Sequence, residues 1–219
     1  YKTGVYPISL ETASCRMILN QDGSMQLQMG ATEIGQGADT VFTQMAAEVT
    51  GITEDKVNVL STQDTDVSPF DTGAYASRQT YVSGMAVKKT GAIFKEKILD
   101  YAAYMLEKPQ DTLDVRDNHI VDKETGTQLL PMEELATTAF YSLDRPVHIT
   151  AEATSHCKTN TFATGACFAE VEVDMPLGKV KVTNIVNVHD SGKLINPKLA
   201  AAQVHGGMSM GLGYGLSEE

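Results

Sequence analysis

The sequence predicts an α+β fold in which mixed sheets pack against helices. Alternating hydrophobic residues indicate strands near the N-terminus, as at Met25, Leu27 and Met29, and again in the last third of the chain. Between these regions, apolar residues recur with helical spacing. With 219 residues, of which 42% are hydrophobic, the chain can bury a substantial core as one large domain or two small ones.

The first half of the chain is predicted to begin with a hairpin over residues 15–29, which turns at an Asp-Gly pair. A helix follows at about residues 38–49, and the sequence KVNVLS then predicts a short strand. An irregular loop over residues 62–80 is rich in Asp, Ser, Thr, Gly and Pro. It leads into a long helix at about residues 80–107.

Residues 108–145 are predicted to be a small excursion of strands and one short helix. That helix, in the sequence PMEELATTAF, has Pro131 at or near its first position and acidic residues in its first turn. Strand patterns then fill VHITAEAT, FATGACFAEVEVDM and GKVKVTNIVNVHD, and a helix begins at about Pro197. We therefore expect subregions of about residues 1–107 and 146–219, which the excursion joins.

Composition argues against several classes of function. A net charge of −11 argues against nucleic acid binding, because neutralising phosphates requires clustered Lys and Arg. No apolar run approaches the ~18 to 20 residues of a membrane span, and no secretory signal is visible. Cys15, Cys157 and Cys167 are widely spaced, which argues against a disulfide framework or a zinc site and favours the cytoplasm.

The sequence GATEIGQGADT, at the junction of a strand and a helix, is the first candidate ligand site. Gly35 and Gly37 flank Gln36 at the helix start, where a main chain free of bulk lets a ligand approach closely. The first-turn N–H groups are expected to be free to donate, and the Gln36 amide can both donate and accept. The alternative is an ordinary turn with a polar cap. The spacing does not match a dinucleotide-binding fingerprint.

A second polar loop, DTGAYASRQT, also precedes a helix. Gly73, Ser77 and Thr80 contribute small or hydroxyl residues, and Arg78 is the only fixed positive charge nearby. Hydroxyl and amide donors at a helix N-terminus bind anions without a net positive charge. The alternative is that Ser77 or Thr80 caps the helix.

A third candidate is Gln203, in the small-residue sequence AAAQVHGGMSMGLG. Its amide needs partners if it is buried, and the alternative is a hydrogen-bonded pair of Gln203 and His205 at an interface. Two groups of titratable residues resemble metal ligands or an acid–base pair but are predicted to serve turns. They are the pair His189-Asp190 and the loop residues Asp64, Asp66 and Asp71.

Three long segments, in order along the chain, carry a family resemblance. They are DGSMQLQMGATEIGQGADTVFTQMAAEVTGI, STQDTDVSPFDTGAYASRQTYVSGMAV and VEVDMPLGKVKVTNIVNVHDSGKLINPKLAAAQVHGGMSMGLG. They resemble the molybdopterin-binding domain of the xanthine dehydrogenase and aldehyde oxidoreductase family, and most of all bacterial xanthine dehydrogenases with a separate molybdenum-binding subunit. The resemblance implies that domain's fold. It also implies that residues 1–219 are a C-terminal fragment, part of the second molybdenum cofactor-binding domain.

The resemblance assigns the candidate residues to one cofactor. The first loop is expected to lie against the pterin, and the second to donate main-chain and hydroxyl groups to the pterin and its phosphate. Tyr75 and Ala76 are expected on the substrate side of the metal. The loops at residues 34–37 and 76–80 should therefore converge, with their helix N-termini at one cleft. The expected cofactor-binding residues are Ile34, Gly35, Gln36, Ala76, Ser77, Arg78, Gln79 and Gln203.

The resemblance also implies a chemistry, which is oxidative hydroxylation of purines such as xanthine or hypoxanthine with oxygen from water. The cofactor is expected to be molybdopterin or its cytosine dinucleotide form, with iron–sulfur clusters and FAD on partner subunits or domains. The general-base Glu is expected beyond Glu219, so no catalytic residue and no metal ligand is assigned. By itself the chain is expected to be inactive.

Two alternatives to a xanthine dehydrogenase are open at this point. One is an aldehyde or other N-heterocycle hydroxylase of the same superfamily. The other is a non-catalytic scaffold domain, in which the glycine-rich helix starts serve packing alone.

Overall fold

The computed structural model confirms the predicted α+β class. The described parts of the chain are residues 2–3, 10–60 and 64–218. In chain order their strands are β1 (Lys2–Thr3), β2 (Thr12–Leu19), β3 (Met25–Met29), β4 (Val57–Leu60), β5 (Leu113–Arg116), β6 (His119–Asp122), β7 (Gln128–Pro131), β8 (Thr150–His156), β9 (Thr161–Phe162), β10 (Thr164–Asp174) and β11 (Lys179–Asp190). The helices are α1 (Ala38–Thr50), α2 (Gly84–Leu106), α3 (Met132–Tyr141) and α4 (Pro197–Leu216).

The chain forms two compact units. The larger unit comprises residues 4–160, and the smaller unit combines residues 1–3 with 161–219. The predicted excursion at residues 108–145 lies within the larger unit. None of the described helices is long and apolar enough to cross a membrane. The predicted irregular loop of residues 62–80 falls outside the described residues at positions 62 and 63.

A four-stranded sheet in the order β4-β3-β2-β8 organises the larger unit. The predicted hairpin is confirmed, because β2 and β3 pair antiparallel from Cys15↔Met29 to Leu19↔Met25. Strand β4 pairs parallel to β3, and α1 is the crossover helix that a parallel pair requires. The turn between β3 and α1 therefore lies at one end of this sheet.

The core of the larger unit lies between this sheet and helices α1 and α2. Alternate residues of β2 and β3 face the core, where Met17 and Leu27 are fully buried. Phe94 and Ile98 of α2 are also fully buried in the same cluster. Each such side chain contributes about 1.5–3 kcal/mol of hydrophobic stabilisation.

A three-stranded antiparallel sheet, β5-β6-β7, forms the predicted excursion with α3. It joins the main core near the end of α1, where the main-chain N–H of Asn118 donates to the carbonyl of Gly51 at 3.4 Å. The Asn118 side chain bonds Thr53 through both its oxygen (2.9 Å) and its nitrogen (2.6 Å). Gly51 ends α1 in the left-handed conformation, with φ of 82°.

The smaller unit is built from the predicted hairpin β10–β11 and the helix α4, together with the short antiparallel pair β1–β9. The hairpin contains a bulge between Glu170 and Val171. Asn196 caps α4 by accepting a hydrogen bond from the N–H of Leu199 at 3.0 Å, and Pro197 occupies the first turn. None of the described residues of β10, β11 or α4 is buried.

Gly51→Ala should destabilise the larger unit more than Gly126→Ala does. Both glycines have positive φ (82° and 73°), which costs an alanine about 1–2 kcal/mol. A Cβ at Gly51 also overlaps the main-chain carbonyl of Val115, which adds about 1–3 kcal/mol, whereas the nearest atom at Gly126 is 3.9 Å away. Urea unfolding of the two variants measures the difference. Equal losses of stability would contradict this account of the junction.

Candidate functional site

The loops at residues 34–37 and 76–80 meet in the larger unit, so their predicted convergence is confirmed, while the cleft shared by their helix N-termini stays a prediction. The side-chain amide of Gln36 donates to Oε1 of Gln79. Both amides also donate to the carbonyl of Thr32, at 2.8 Å from Gln36 and 3.0 Å from Gln79. The N–H of Ile34 donates to Oε1 of Gln36 at 2.7 Å. Gln36 therefore joins the two loops, and this is the structural role of the glutamine between the two glycines.

Close packing at the end of β3 leaves no room for a side chain at Gly30. A Cβ at this position would overlap the main-chain carbonyl of Pro69 and lie 2.7 Å from the nitrogen of Asp71. The loop that carries Asp71 therefore packs directly on the main chain at the end of β3. The Ala13–Asp71 bridge ties the same loop to β2.

Glu33 occupies the N-terminus of α1. Its Oε1 accepts from the N–H groups of Gly35 (2.7 Å) and Gly37 (3.2 Å), and its Oε2 accepts from the N–H of Asp39 (3.0 Å). Burial raises the pKa of Glu33, but the hydrogen bonds from Asp39, Gly35, Gly37 and Ala38 outweigh it and hold the pKa below its ordinary value.

The expectation that these first-turn N–H groups are free to donate is therefore wrong. The helix start already carries an anion that the protein itself supplies. The sequence held a signal for this, because a Glu lies just before the glycine pair and an acidic side chain is favourable at a helix N-terminus. What stays accessible in this loop is the main chain around Gly35, which is exposed, with no atom within 4 Å of a Cβ built there.

The second loop has an unusual main chain. Ala76 and Ser77 both have positive φ, at 50° and 54°, a conformation that non-glycine residues rarely adopt. Both residues are exposed, and so is the neighbouring Tyr75, whose hydroxyl donates to Oγ1 of Thr72 at 3.0 Å. Within the described residues, no hydrogen bond uses the N–H of Ala76 or the N–H and hydroxyl of Ser77. This turn therefore exposes a set of neutral donors.

The helix that follows this loop opens with a wide π-type turn at Gln79–Ser83. Such turns occur often at functional sites. In the described residues, the residue that precedes this turn, Arg78, makes no side-chain capping bond. Because Arg78 occupies the cap position, neither Ser77 nor Thr80 caps this helix, and that alternative is wrong.

Arg78 is fully buried, and its guanidinium is bound by the protein on all sides. Nε donates to Glu11 at 3.4 Å, Nη1 donates to Asp71 and to the carbonyl of Gly73 (3.0 Å), and Nη2 donates to the carbonyl of Thr12 (3.1 Å). Its main-chain N–H donates to the carbonyl of Tyr75 at 3.2 Å. The positive charge of Arg78, which the sequence analysis located near this loop, is therefore bound by groups of the protein itself.

Asp64 and Asp71 of the preceding loop serve turns, as predicted. Oδ1 of Asp64 accepts from the N–H of Asp66 at 2.9 Å, and Oδ1 of Asp71 accepts from the N–H of Gly73 at 3.2 Å. The sequence did not reveal that Asp71 is also the buried partner of Arg78. It accepts a further hydrogen bond from the hydroxyl of Ser83 at 2.7 Å.

Two of the remaining candidates lie in the smaller unit. Gln203 is exposed in the N-terminal half of α4, and its contact with a cofactor stays a prediction. The predicted turn role of Asp190 is confirmed, because its Oδ1 accepts from the N–H of Gly192 at 3.0 Å.

The described cysteines are free thiols, and no three His, Cys, Asp or Glu side chains among the described residues cluster as metal ligands. Burial raises the pKa of Cys15 to about 12, and burial also raises that of Cys157. Both buried thiols are therefore protonated near neutral pH and lack the thiolate character of a reactive cysteine.

Comparison with known proteins places these loops in a family context. The putative xanthine dehydrogenase molybdenum-binding subunit of Escherichia coli K12 is 47% identical over 220 residues, covering 100% of this chain and 29% of that subunit. The probable hypoxanthine oxidase of the same strain is 32% identical over 222 residues, covering 100% of this chain and 22% of that protein. The chain thus spans less than a third of the length of these curated relatives.

Among solved structures, quinoline 2-oxidoreductase from Pseudomonas putida 86 matches with a TM-score of 0.83 at 24% identity, over 97% of this chain and 28% of that one. This likeness confirms the expected fold of mixed sheets and packed helices. The family model for the molybdopterin cofactor-binding domain matches residues 1–219, and the chain belongs to that family.

Proposed function

We propose that this chain is one cofactor-binding domain of the molybdenum subunit of a xanthine dehydrogenase. The observation that carries the proposal is the junction of the two loops through Gln36 and Gln79, because it brings the exposed main chain of both loops together. The 47% identity to a putative xanthine dehydrogenase subunit supports a purine such as xanthine or hypoxanthine as the substrate. The greater length of the relatives supports a domain of a longer protein, part of the second cofactor-binding domain.

The residues present fit a molybdenum cofactor by the chemistry of their donors. The pterin ring needs neutral hydrogen-bonding groups, and Ser77 with the N–H groups of Ala76 and Ser77 offers these at an exposed turn. The exposed main chain at Ile34 and Gly35 leaves room for a flat ring to approach. When bound, the cofactor supplies the redox chemistry that adds oxygen from water to a carbon next to nitrogen.

Most of the predicted residues have a defined part in this proposal. Ile34 and Gly35 would line the pterin, while Gln36 and Gln79 hold the two loops together beside it. Because Glu33 fills the N-terminus of α1, the phosphate would be received by the donors of the second loop, at Ser77 and the helical turn after it.

The other roles rest on the resemblance. Tyr75 and Ala76 would lie on the substrate side, and Gln203 would be a further cofactor-binding residue. Iron–sulfur and FAD subunits would accept the electrons, and the assembly would work in the cytoplasm. None of the described residues is proposed as the catalytic base.

Gln36→Ala and Gln79→Ala in the complete molybdenum subunit should each lower cofactor retention more than stability. Each change removes hydrogen bonds that join the two loops, and an unsatisfied partner costs about 1–3 kcal/mol. Molybdenum per subunit and the fluorescence of the released pterin measure retention. Gln110→Ala is the matched control, because Gln110 also donates to a main-chain carbonyl, that of Glu96, but outside these loops.

The same measurement distinguishes the proposal from a scaffold. A complete, unmodified subunit that is purified from a cofactor-producing host without any pterin would contradict the proposed function. Full pterin content in both glutamine variants, with stability lowered by the amount expected, would show that the junction serves packing alone.

Glu33→Gln should destabilise the protein in a pH-dependent way. The pKa of Glu33 is lowered in the folded state, so the ionised carboxylate stabilises the fold above its ordinary pKa. That contribution is lost as the pH falls through the folded pKa. The variant should lose about 1 kcal/mol near neutral pH, and the difference should shrink in acid. Urea unfolding across pH measures it, with the exposed Glu54→Gln as control, and a pH-independent difference would contradict the assignment.

A further inference from the structure

The second loop contains two consecutive residues in the left-handed conformation. Other contacts in the protein must stabilise this conformation. Neither Ala76 nor Ser77 is a glycine, so each costs about 1–2 kcal/mol in this conformation. Because both are exposed, packing of their own side chains does not supply this energy. Strain of this kind persists only where the surrounding structure imposes it.

The neighbouring residue Arg78 makes the contacts that can impose it. Its guanidinium reaches back to the carbonyl of Gly73, three residues before Ala76, and its own N–H bonds the carbonyl of Tyr75. The Tyr75 ring lies 5.5 Å from the guanidinium carbon, within the range of a cation–π contact. The chain from Gly73 to Arg78 is thereby closed on itself, and the left-handed pair lies in the closed segment.

Buried acidic partners fix the guanidinium in turn. The side chains of Asp71 and Glu11 are 0% and 3% exposed, and both bond Arg78. Asp71 also accepts from Ser83 in the helical turn after the loop. A buried charge is tolerated only when it is paired and hydrogen-bonded, so the cluster of Arg78, Asp71 and Glu11 allows little movement.

We propose that Arg78 is a positioning residue for cofactor binding, and that its guanidinium binds no ligand. The buried cluster holds Ala76 and Ser77 in a left-handed conformation in which, among the described residues, their N–H groups and the Ser77 hydroxyl make no hydrogen bond within the protein. This inference rests on the proposed function, because it assumes that these donors face the cofactor. It differs from the expectation that Arg78 itself contacts the cofactor.

Lysine cannot replace Arg78 in this role, although it keeps the charge. The guanidinium makes four side-chain hydrogen bonds in different directions, to Glu11, Asp71, Gly73 and Thr12. A lysine has one nitrogen with three donors and no planar fork, so it leaves part of the cluster unbonded. The left-handed pair would then relax toward ordinary conformations.

The test is Arg78→Lys in the complete subunit, alone and combined with Ala76→Gly. Arg78→Lys should lower molybdenum and pterin content by about tenfold, a typical effect of losing a supporting contact. Glycine adopts positive φ without the steric cost of a side chain, so Ala76→Gly should restore a measurable part of the lost content. Arg16→Lys is the matched control, because Arg16 pairs with Glu152 at 2.6 Å but is half-exposed, and its variant should keep full content.

Hydrogen exchange supplies a readout that does not depend on the cofactor. In Arg78→Lys the amide of residue 78, which bonds Tyr75 in the native protein, should exchange faster, while amides in α3 keep their rates. If Arg78→Lys does not fold, Ser83→Ala removes a single hydrogen bond to Asp71 and should show the same pattern more weakly, again reduced by Ala76→Gly.

The outcomes separate the two proposals. Full cofactor content in Arg78→Lys, beside a loaded unmodified subunit, would overturn the inference and leave the proposed function standing. A loss of content that Ala76→Gly does not reduce would also overturn it, because general destabilisation would then explain the loss. An unmodified subunit that carries no pterin would instead remove the proposed function.

Discussion

The buried guanidinium of Arg78 is the constraint on which the candidate site depends. A charge that is fully removed from water must find partners in the protein, and here they come from separate parts of the chain. Glu11 and Thr12 lie at the start of β2, and Asp71 lies in the loop before the site. Satisfying one side chain therefore brings the sheet and the loop together at a single point.

The electrostatics of the site follow from how its charges are used. The positive charge of Arg78 is paired with two acids, and the N-terminus of α1 is occupied by Glu33. In a chain with a net charge of −11, an anionic ligand gains little from long-range attraction. Affinity must come from neutral N–H and hydroxyl donors, whose contribution depends on direction and distance. The geometry of the loops thus matters more than their charge.

Much of the fold could be predicted from the sequence, because local patterns determine it. The Asp-Gly turn predicted the first hairpin, and helical spacing predicted the bounds of α1 and α2 to within a few residues. The convergence of the two loops was expected from the family resemblance and from anion binding by two helix N-termini. Periodicity does not report which loops meet at the end of a sheet.

The details of the site could not be predicted for a physical reason. Arg78 and Glu11 are 67 residues apart, and no local pattern signals that pairing. In the sequence, Arg78 was identifiable only as a positive charge near the loop, with no sign of its buried partners. Glu33 differs, because its partners are within a few residues, and the rule that acids favour helix N-termini could have identified it.

The left-handed positions of the second loop carry alanine and serine, although glycine would fit them without strain. Glycine would adopt the turn without strain but would leave the loop free in more conformations, which adds an entropic cost of about 0.5–1 kcal/mol to ordering it. Ala76 and Ser77 have fewer alternatives, and the buried cluster selects the strained one. The buried ion cluster thereby holds the donors of the loop in fixed positions. A site that binds through uncharged donors needs that rigidity, because a hydrogen bond weakens steeply when its donor is misplaced.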